Sequence, residues 1–498
     1  MKYVLDGAMS KAVDAYTIDK TGVPSLVLME RAALCVAEKT AQIAAGFGRN
    51  VRICAVCGTG NNGADGIAAA RILTWQGLMV DILLIDKTRS GTDEYNTQKQ
   101  IAINSGMNFG NLSDIFEYDI IIDAIFGTGL SKPVSGIFQD VIFAMNTGRN
   151  VIVSVDIPSG INATTGEVMG VCVSADATVT FGYHKLGMML YPGKSYAGEI
   201  TVADIGFNPE AIRTLNPAMY FTTEDVNRIP EREEESNKGT YGRTLVIAGS
   251  EEMSGAAYLS GAAAYRSGAG LVEIFTHEQN APVIRTLLPE AIVTGYNKDN
   301  VTELLSDKID RADYIILGPG LSCSETAELI VKTVFEKGNV PLILDADGLN
   351  IVAGDTKILK TYKSTVIITP HIGEMSRLTG ISKADIKADI VHTAKNFADS
   401  HGVICVIKDA VTVICEPGEE GRTYINHSGC AAMSKGGMGD VLTGIIAGML
   451  SLKLEPFSAS AMGVYLHGLA GEKAVFEKNE HTLAASDLLE AIGYVMNK

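Results

Sequence analysis

The chain has 498 residues, of which 46% are apolar and 20% charged, and a formal net charge of −17. At about 150 residues per domain, this length predicts two or three globular domains. The acidic balance excludes nucleic acid and anionic membrane as main partners, because both demand basic patches.

Met1 to Gly7 lacks the apolar core of a signal peptide. No run reaches the roughly 20 apolar residues of a membrane span. The expectation is a cytoplasmic protein. Residues 11–45 predict helices, with Ala12, Ala15 and Ile18, then Leu26, Met29, Ala33, Val36 and Ala37, at helical spacing. Gly22-Val23-Pro24 breaks the run, and Ser25 reads as an N-cap. Strands and helices then alternate, the pattern of a parallel sheet covered on both faces.

Strand 51–57 carries Cys54 and Cys57, read as buried thiols because no second pair follows at metal spacing. It runs into Gly58-Thr59-Gly60-Asn61-Asn62-Gly63-Ala64-Asp65-Gly66, then a helix over 67–75 and a strand over 79–85. The glycines match the dinucleotide fingerprint, with Asp86 roughly 20 residues on. Asn61, Asn62 and Asp65 are unlike a dehydrogenase loop and offer oxygens to a ribose, a phosphate or a cation. Strand 119–126 leads into Gly127-Thr128-Gly129-Leu130-Ser131-Lys132-Pro133, and strand 151–155 into Asp156-Ile157-Pro158-Ser159-Gly160. Ligands of open parallel sheets lie beyond the C-terminal strand ends. Asn62, Asp123 and Ser159 there suit a hard cation, and Asp156 is the acid–base candidate. Each carboxylate alone is more often a loop cap or a solvated turn; three such loops on one edge favour a site.

These motifs, with Leu28-Met29-Glu30-Arg31-Ala32, resemble the NAD(P)H-hydrate epimerase domain. The resemblance covers residues 1–212. It implies a Rossmann-like fold that inverts the hydroxyl-bearing C6 of hydrated nicotinamide. It assigns Asn61, Asn62, Gly63, Ala64, Asp65, the segment Gly127, Thr128, Gly129, Leu130, Ser131, Lys132 and Pro133, and Asp156 to the hydrate. Asn62, Asp123 and Ser159 would hold potassium. Ala64 replaces the family's usual glycine.

Residues 231–239 are charged, lack apolar periodicity and read as a solvated linker. The boundary is set near 215–235, with domains of 1–212 and 213–498. Thr223-Glu224-Asp225-Val226 reads as a short capped turn. Strands follow over 243–247, 271–275, 314–317, 341–344, 365–368 and 403–407, with a small-residue helix over 255–264 that suits close packing or a ligand. The strand ends carry Gly318-Pro319-Gly320-Leu321, Asp345-Ala346-Asp347-Gly348, Thr369-Pro370-His371-Ile372-Gly373-Glu374 and Lys408-Asp409-Ala410-Val411-Thr412. Lys408 ends a buried strand and needs an anionic partner.

Gly436-Gly437-Met438-Gly439-Asp440 opens an apolar helix over 441–450. Helix-start N–H groups and the dipole suit a phosphate. A carboxylate beside that anion hole fits a base that deprotonates a hydroxyl during phosphoryl transfer. The alternative is an N-capping aspartate.

The glycine turn, with Gly268-Ala269-Gly270-Leu271-Val272, Leu344 to Leu349, Thr369 to Glu374 and Ala485-Ser486-Asp487-Leu488-Leu489, resembles the ribokinase-like superfamily and within it the ADP/ATP-dependent NAD(P)H-hydrate dehydratases. The likeness covers 220–498. It assigns Ala256, Gly320, His371 and Asp440 to the hydrate, and Lys408, Asp409, Ala410, Val411, Thr412 and Gly439 to the nucleotide. Asp409 and Ser322 stand where the family has glycine, and Lys435 is read as a countercharge to Asp409. Together the halves imply a bifunctional repair enzyme for NADHX and NADPHX, using ADP or ATP with magnesium, potassium in the first half, and assembled as a homo-oligomer. The rivals are a small-molecule kinase that releases a phosphorylated product, a binding protein without chemistry, and a Rossmann dehydrogenase.

Overall fold

The computed structural model describes residues 1–85 and 90–497; Asp86 lies outside the described residues. The chain forms two compact units, Tyr3–Ala218, and Met219–Lys498 together with Met1–Lys2. Each is an α/β unit whose sheet is largely parallel.

In the first unit the strands are β1 (Lys2–Leu5), β2 (Arg52–Cys57), β3 (Met79–Leu84), β4 (Asn108–Phe109), β5 (Ile120–Ala124), β6 (Val151–Val155), β7 (Ala177–Phe181), β8 (His184–Lys185) and β9 (Glu199–Ala203). Seven form one sheet in the order β4-β3-β2-β5-β6-β7-β9, and every pairing is parallel. β5 reads Ile-Ile-Ile-Asp-Ala and is buried throughout, as a strand covered on both faces must be. Helices α1 (Gly7–Ala15), α2 (Ser25–Gly46) and α3 (Asn61–Trp75) follow β1 and β2. Val36, Ala33, Ile67 and Leu73 of α2 and α3 close one sheet face. Ile142 and Met145 close the other. β1 pairs with β8 in parallel, Leu5 opposite Lys185.

Two expectations change here. α2 starts at Ser25 itself, with Pro24 at the N-cap, and the Ser25 hydroxyl donates to Glu94 at 2.8 Å. α3 begins at Asn61, so Asn61 to Asp65 form its first turn and not a loop. The Ala64 N–H donates to the Gly60 carbonyl at 3.1 Å. Gly63 lies against the Gly58 carbonyl with no room for a Cβ. Ala64 is fully buried in the apolar core, where a helical backbone suits alanine better than glycine. Leu215 packs against the cluster of Leu5, Val13, Ala211 and Ile212.

The second unit has β10 (Ala218–Tyr220), β11 (Arg243–Ile247), β12 (Leu271–His277), β13 (Ile292–Tyr296), β14 (Tyr314–Leu317), β15 (Leu342–Leu344), β16 (Val366–Ile368), β17 (Ile404–Ile407), β18 (Val413–Cys415) and β19 (Thr423–Ile425). The order is β13-β12-β11-β14-β15-β16-β17-β18-β19-β10. The ladder is parallel from β13 to β17, then antiparallel to β18 and β19. The parallel strands therefore end on one edge. The helices Ser254–Ser267 and Met438–Ser451 pack closely, because Gly444 and Gly448 leave space only for Ser260, Ala263 and Ser267. Thr222 and Asp225 form a capping box on the turn Thr223–Arg228. Residues 231–239 are mostly exposed and without helix or strand. No helix among the described residues is long and apolar enough to cross a membrane.

Candidate active sites

Asp156 follows β6 with φ 66°, a conformation that non-glycine residues adopt at a cost and that clusters at functional sites. Its N–H donates to Val179 O at 2.8 Å. Its Oδ1 meets Lys185 Nζ at 2.7 Å and accepts from Thr180 Oγ1 and the Phe181 N–H at 3.2 Å each. Lys185 is 3% exposed and also donates to Phe181 O at 2.9 Å. A buried ammonium requires such a partner.

Asp156 and Lys185 share a cleft with Asp14, Asp65, Asn61 and Thr128. Burial pushes the Asp65 carboxyl well up, and the charges of Asp156 and Asp14 push it further. Asp14 opens to solvent at the cleft, yet the protein around it raises its carboxyl to about 6, helped by Asp156 and opposed by Lys185. Asp14 and Asp65 are thus carboxyls that the cleft makes weaker acids.

Asp123 is fully buried. Its carboxylate accepts from Ser154 Oγ at 2.7 Å, Ser159 N at 2.9 Å and Ser159 Oγ at 2.6 Å. Burial raises its pKa, and these hydrogen bonds oppose the rise. Asn62 turns its carboxamide toward Gly127, whose Cβ would stand 3.2 Å from Asn62 Oδ1. Asn62 Nδ2 is buried without a hydrogen-bond partner among the described residues. Of the loop after β5, Thr128 lines the cleft. Leu130 packs on the apolar core, and Ser131, Lys132 and Pro133 are exposed beyond the lining. Cys54 and Cys57 are buried free thiols.

In the second unit, Lys408 Nζ meets Asp345 Oδ1 at 2.7 Å. The Lys408 N–H donates to Pro370 O at 2.8 Å, tying this strand end to His371. His371 caps the helix Ile372–Thr379: its Nδ1 accepts from Gly373 N at 2.9 Å and Glu374 N at 3.2 Å, while Glu374 Oε2 accepts from the His371 N–H at 2.8 Å. The proton therefore sits on Nε2, which lies 3.4 Å from Glu374 Oε1. Burial, then Lys408 and Arg377, lower the His371 pKa. Burial raises the Glu374 carboxyl.

Gly437, at φ 86°, caps the helix Met438–Ser451 and leaves Asp440 in its first turn. Asp440 is therefore not the N-cap. Its carboxyl is pushed up to about 7, by burial first, then by Asp345 and Asp347, against Lys408. A Cβ on Gly439 would lie 3.2 Å from Lys408 Nζ and 3.6 Å from Asp345 Oδ2. His371, Lys408, Gly439 and Asp440 are thus one cluster. Gly320 faces Ala256, whose Cβ would lie 2.9 Å from a Cβ on Gly320. Val411 is buried, whereas Asp409 and Ala410 are exposed. The Thr412 carbonyl accepts from Asn426 N at 2.9 Å.

Two departures find their reasons here. Ser322 has φ 66°, the backbone that favours glycine, and its N–H donates to Asp347 Oδ2 at 2.8 Å. Asp409 is countered by Lys387 at 3.4 Å. Lys435 is not its countercharge: it donates to the carbonyls of His481 and Leu483 at 2.6 Å each.

Sequence reading gave no role to Asp14, Lys185 or Asp345. Lys185 was signalled: a lysine beside the apolar run Leu186-Gly187-Met188-Met189 must find an anion. A lone aspartate on an N-terminal helix carried no such signal.

The fold and the two sites define a bifunctional α/β enzyme whose second unit belongs to the ribokinase-like class. Residues 244–493 match the family described as NAD(P)H-hydrate dehydratase, and residues 25–187 the family described as YjeF-related protein N-terminus. The bifunctional NAD(P)H-hydrate repair enzyme Nnr of Moorella thermoacetica is 34% identical over 99% of this chain and 96% of its own. That of Escherichia coli is 33% identical over 89% and 84%. The crystal structure of an ADP/ATP-dependent NAD(P)H-hydrate dehydratase from Bacillus subtilis, co-crystallised with ATP and Mg2+, is 36% identical with a TM-score of 0.50, covering 56% of this chain and 97% of its own. The chain belongs to the family of bifunctional NAD(P)H-hydrate repair enzymes. Its first unit is the epimerase part and its second the nucleotide-dependent dehydratase part.

Proposed function

We propose that Asp440 is the base of the dehydratase and Asp156 a proton-transfer residue of the epimerase, with ADP as the phosphoryl donor. The observation that carries the first assignment is the position of Asp440: in a helix-opening turn, among Asp345, Asp347 and Lys408, with its carboxyl near neutrality. In this reading Ala256, Gly320 and His371 bind the (6S)-hydrate, while Lys408 to Thr412 and Gly439 bind the nucleotide. Asp440 takes the proton of the C6 hydroxyl as that oxygen attacks the terminal phosphorus. AMP leaves, and Lys408 with the glycine-turn amides stabilises the charge that develops. Phosphate then departs from C6, a proton leaves C5, and the ring regains its double bond as NADH or NADPH.

The carboxylates of Asp345 and Asp347 beside Asp440 outnumber the ammonium of Lys408, an excess of negative charge that suits magnesium brought with the nucleotide phosphates. Magnesium would supply charge neutralisation to the phosphates. In the first unit, the side-chain oxygens of Asn62, Asp123 and Ser159 would hold potassium, with the buried Asp123 carboxylate supplying the negative charge. There the cation would balance Asp123 and fix the segments that bind the hydrate: the first turn of α3, Asn61 to Asp65, and the loop Gly127 to Pro133. The domains of this reading are 1–212 and 213–498. A reducing, cytoplasmic setting is supported by eight free thiols. Exposed Trp75, Phe143 and Phe476 offer apolar surface to a homo-oligomer.

The test is product analysis with NADHX, magnesium and either ADP or ATP. AMP and phosphate formed in step with NADH support the reading. A stable phosphorylated hydrate would identify a kinase, and turnover with ATP alone would reject ADP as donor.

A further inference from the structure

We propose that Asp14, on α1, is a second catalytic residue of the epimerase cleft, paired with Asp156 from a different wall. The inference rests on the epimerase reading above. α1 precedes residues 25–187, the span that matches the family.

The helix is nevertheless seated in the site. The Gly7 N–H donates to Thr164 Oγ1 at 3.2 Å, and a Cβ on Gly7 would lie 3.3 Å from the Thr128 carbonyl. Lys11 Nζ stands 3.9 Å from where a Cβ on Gly129 would be. Ser10 and Asp14, one turn apart and so on one face, both line the cleft. Beyond Ala15 the chain winds into a π-helical turn, Tyr16–Lys20, a distortion frequent at functional sites.

The two carboxyls are differently dressed. Asp156 accepts from Lys185, Thr180 and the Phe181 N–H, all at Oδ1, so that oxygen is held as an acceptor. Asp14 shows no hydrogen bond among the described residues, and burial first, then Asp156, raise its carboxyl to about 6 against Lys185. Asp65 faces it across the same cleft, and Lys11 precedes it on the helix. Asp14 is therefore partly protonated at neutral pH and free to give its proton.

Inversion at C6 needs one group to release the hydroxyl and another to install its replacement on the opposite face. Asp14 gives its proton to the C6 hydroxyl. The N1 lone pair forms a C6=N1 bond, the C6–O bond breaks and water leaves. A water then adds to the other face of C6, the C6=N1 pair returns to N1, and Asp156 takes the proton of the entering water. One proton is given and one taken, with no redox change. From the opposite epimer the two carboxyls exchange roles.

The test uses the full chain with both NADHX epimers and saturating nucleotide, so that the late phase of NADH recovery reads the epimerase. Asp14→Asn is expected to lower the epimerase kcat by about 10²-fold or more, leave KM nearly unchanged, and abolish the limb of the pH–rate profile near 6. Asp14→Glu is expected to restore part of the rate with a shifted limb. Wild-type rate and limb in Asp14→Asn, a loss confined to KM, or Asp14→Glu as inactive as Asp14→Asn would overturn the proposal. If Asp14→Asn fails to fold, the Asp14→Glu limb decides: shifted supports, unchanged overturns. A wild-type late phase no faster than uncatalysed epimerisation would instead reject the epimerase reading itself, while the early phase still reports the dehydratase.

Discussion

Lys408 Nζ donates to Asp345 Oδ1 at 2.7 Å, and Gly439 stands over the pair with space for a hydrogen but little for a methyl group. The backbone of the anion-binding turn thus approaches an ammonium that is already paired. A phosphate arriving at the turn meets N–H groups and one positive charge together.

Gly439→Ala would place its methyl 3.2 Å from Lys408 Nζ. The lysine must shift, and the Asp345 contact with it. The expected outcome is a folded protein whose nucleotide Kd rises about tenfold, equivalent to about 1.4 kcal/mol, with epimerase activity unchanged. Titration calorimetry with ADP and the two-phase recovery assay check this.

Asp440 must be ionised to act as a base, and its carboxyl is held at about 7. Dehydratase kcat/KM should therefore fall as pH drops through about 7 and level off above it. Lys408 lowers this pKa, so Lys408→Met should move the limb upward as well as weaken nucleotide binding. A limb that stays in place would separate Asp440 from Lys408.

Asp409 is exposed and paired with Lys387 at 3.4 Å. Exposed pairs contribute about 0–1 kcal/mol. Asp409→Gly should thus change nucleotide affinity by no more than about twofold and leave stability nearly unchanged, measured by binding and thermal melting. A large gain in affinity would mean that the carboxylate repels the phosphate.

The pKa of His467 is lowered from 6.5 to about 4, chiefly by burial, and its Nε2 has no hydrogen-bond partner among the described residues. A base with a lowered folded pKa stays neutral in the fold while the unfolded chain takes up a proton. Its contribution is complete above pH 6.5 and is lost as pH falls toward 4, by up to about 3 kcal/mol. His467→Phe should flatten this part of the pH–stability curve of the second unit, read by urea unfolding at several pH values.

The strand ends were legible because parallel strands buried on both faces read as continuous apolar runs that stop at glycine and aspartate. Ile120 to Ala124 and Ile404 to Ile407 are examples. The helical state of Asn61 to Asp65 was not legible: asparagine and glycine disfavour helix locally, and it is the fit of Gly63 on the Gly58 carbonyl that overrides them. Asp440 was legible as a residue of the glycine turn, but its raised pKa depends on burial first and then on Asp345 and Asp347, which arrive from another strand end. Lys435 misled because sequence proximity to the glycine turn says nothing of side-chain direction; it reaches the 481–483 loop instead.

The most direct measurement of the account is recovery of dihydronicotinamide absorbance from a mixture of both NADHX epimers, with ADP and magnesium, in wild type, Asp440→Asn and Asp156→Asn. The account predicts full two-phase recovery in wild type, none in Asp440→Asn, and a normal first phase with a second phase slowed to the uncatalysed rate in Asp156→Asn. Recovery by Asp440→Asn at the wild-type rate, or an unslowed second phase in Asp156→Asn, would contradict it.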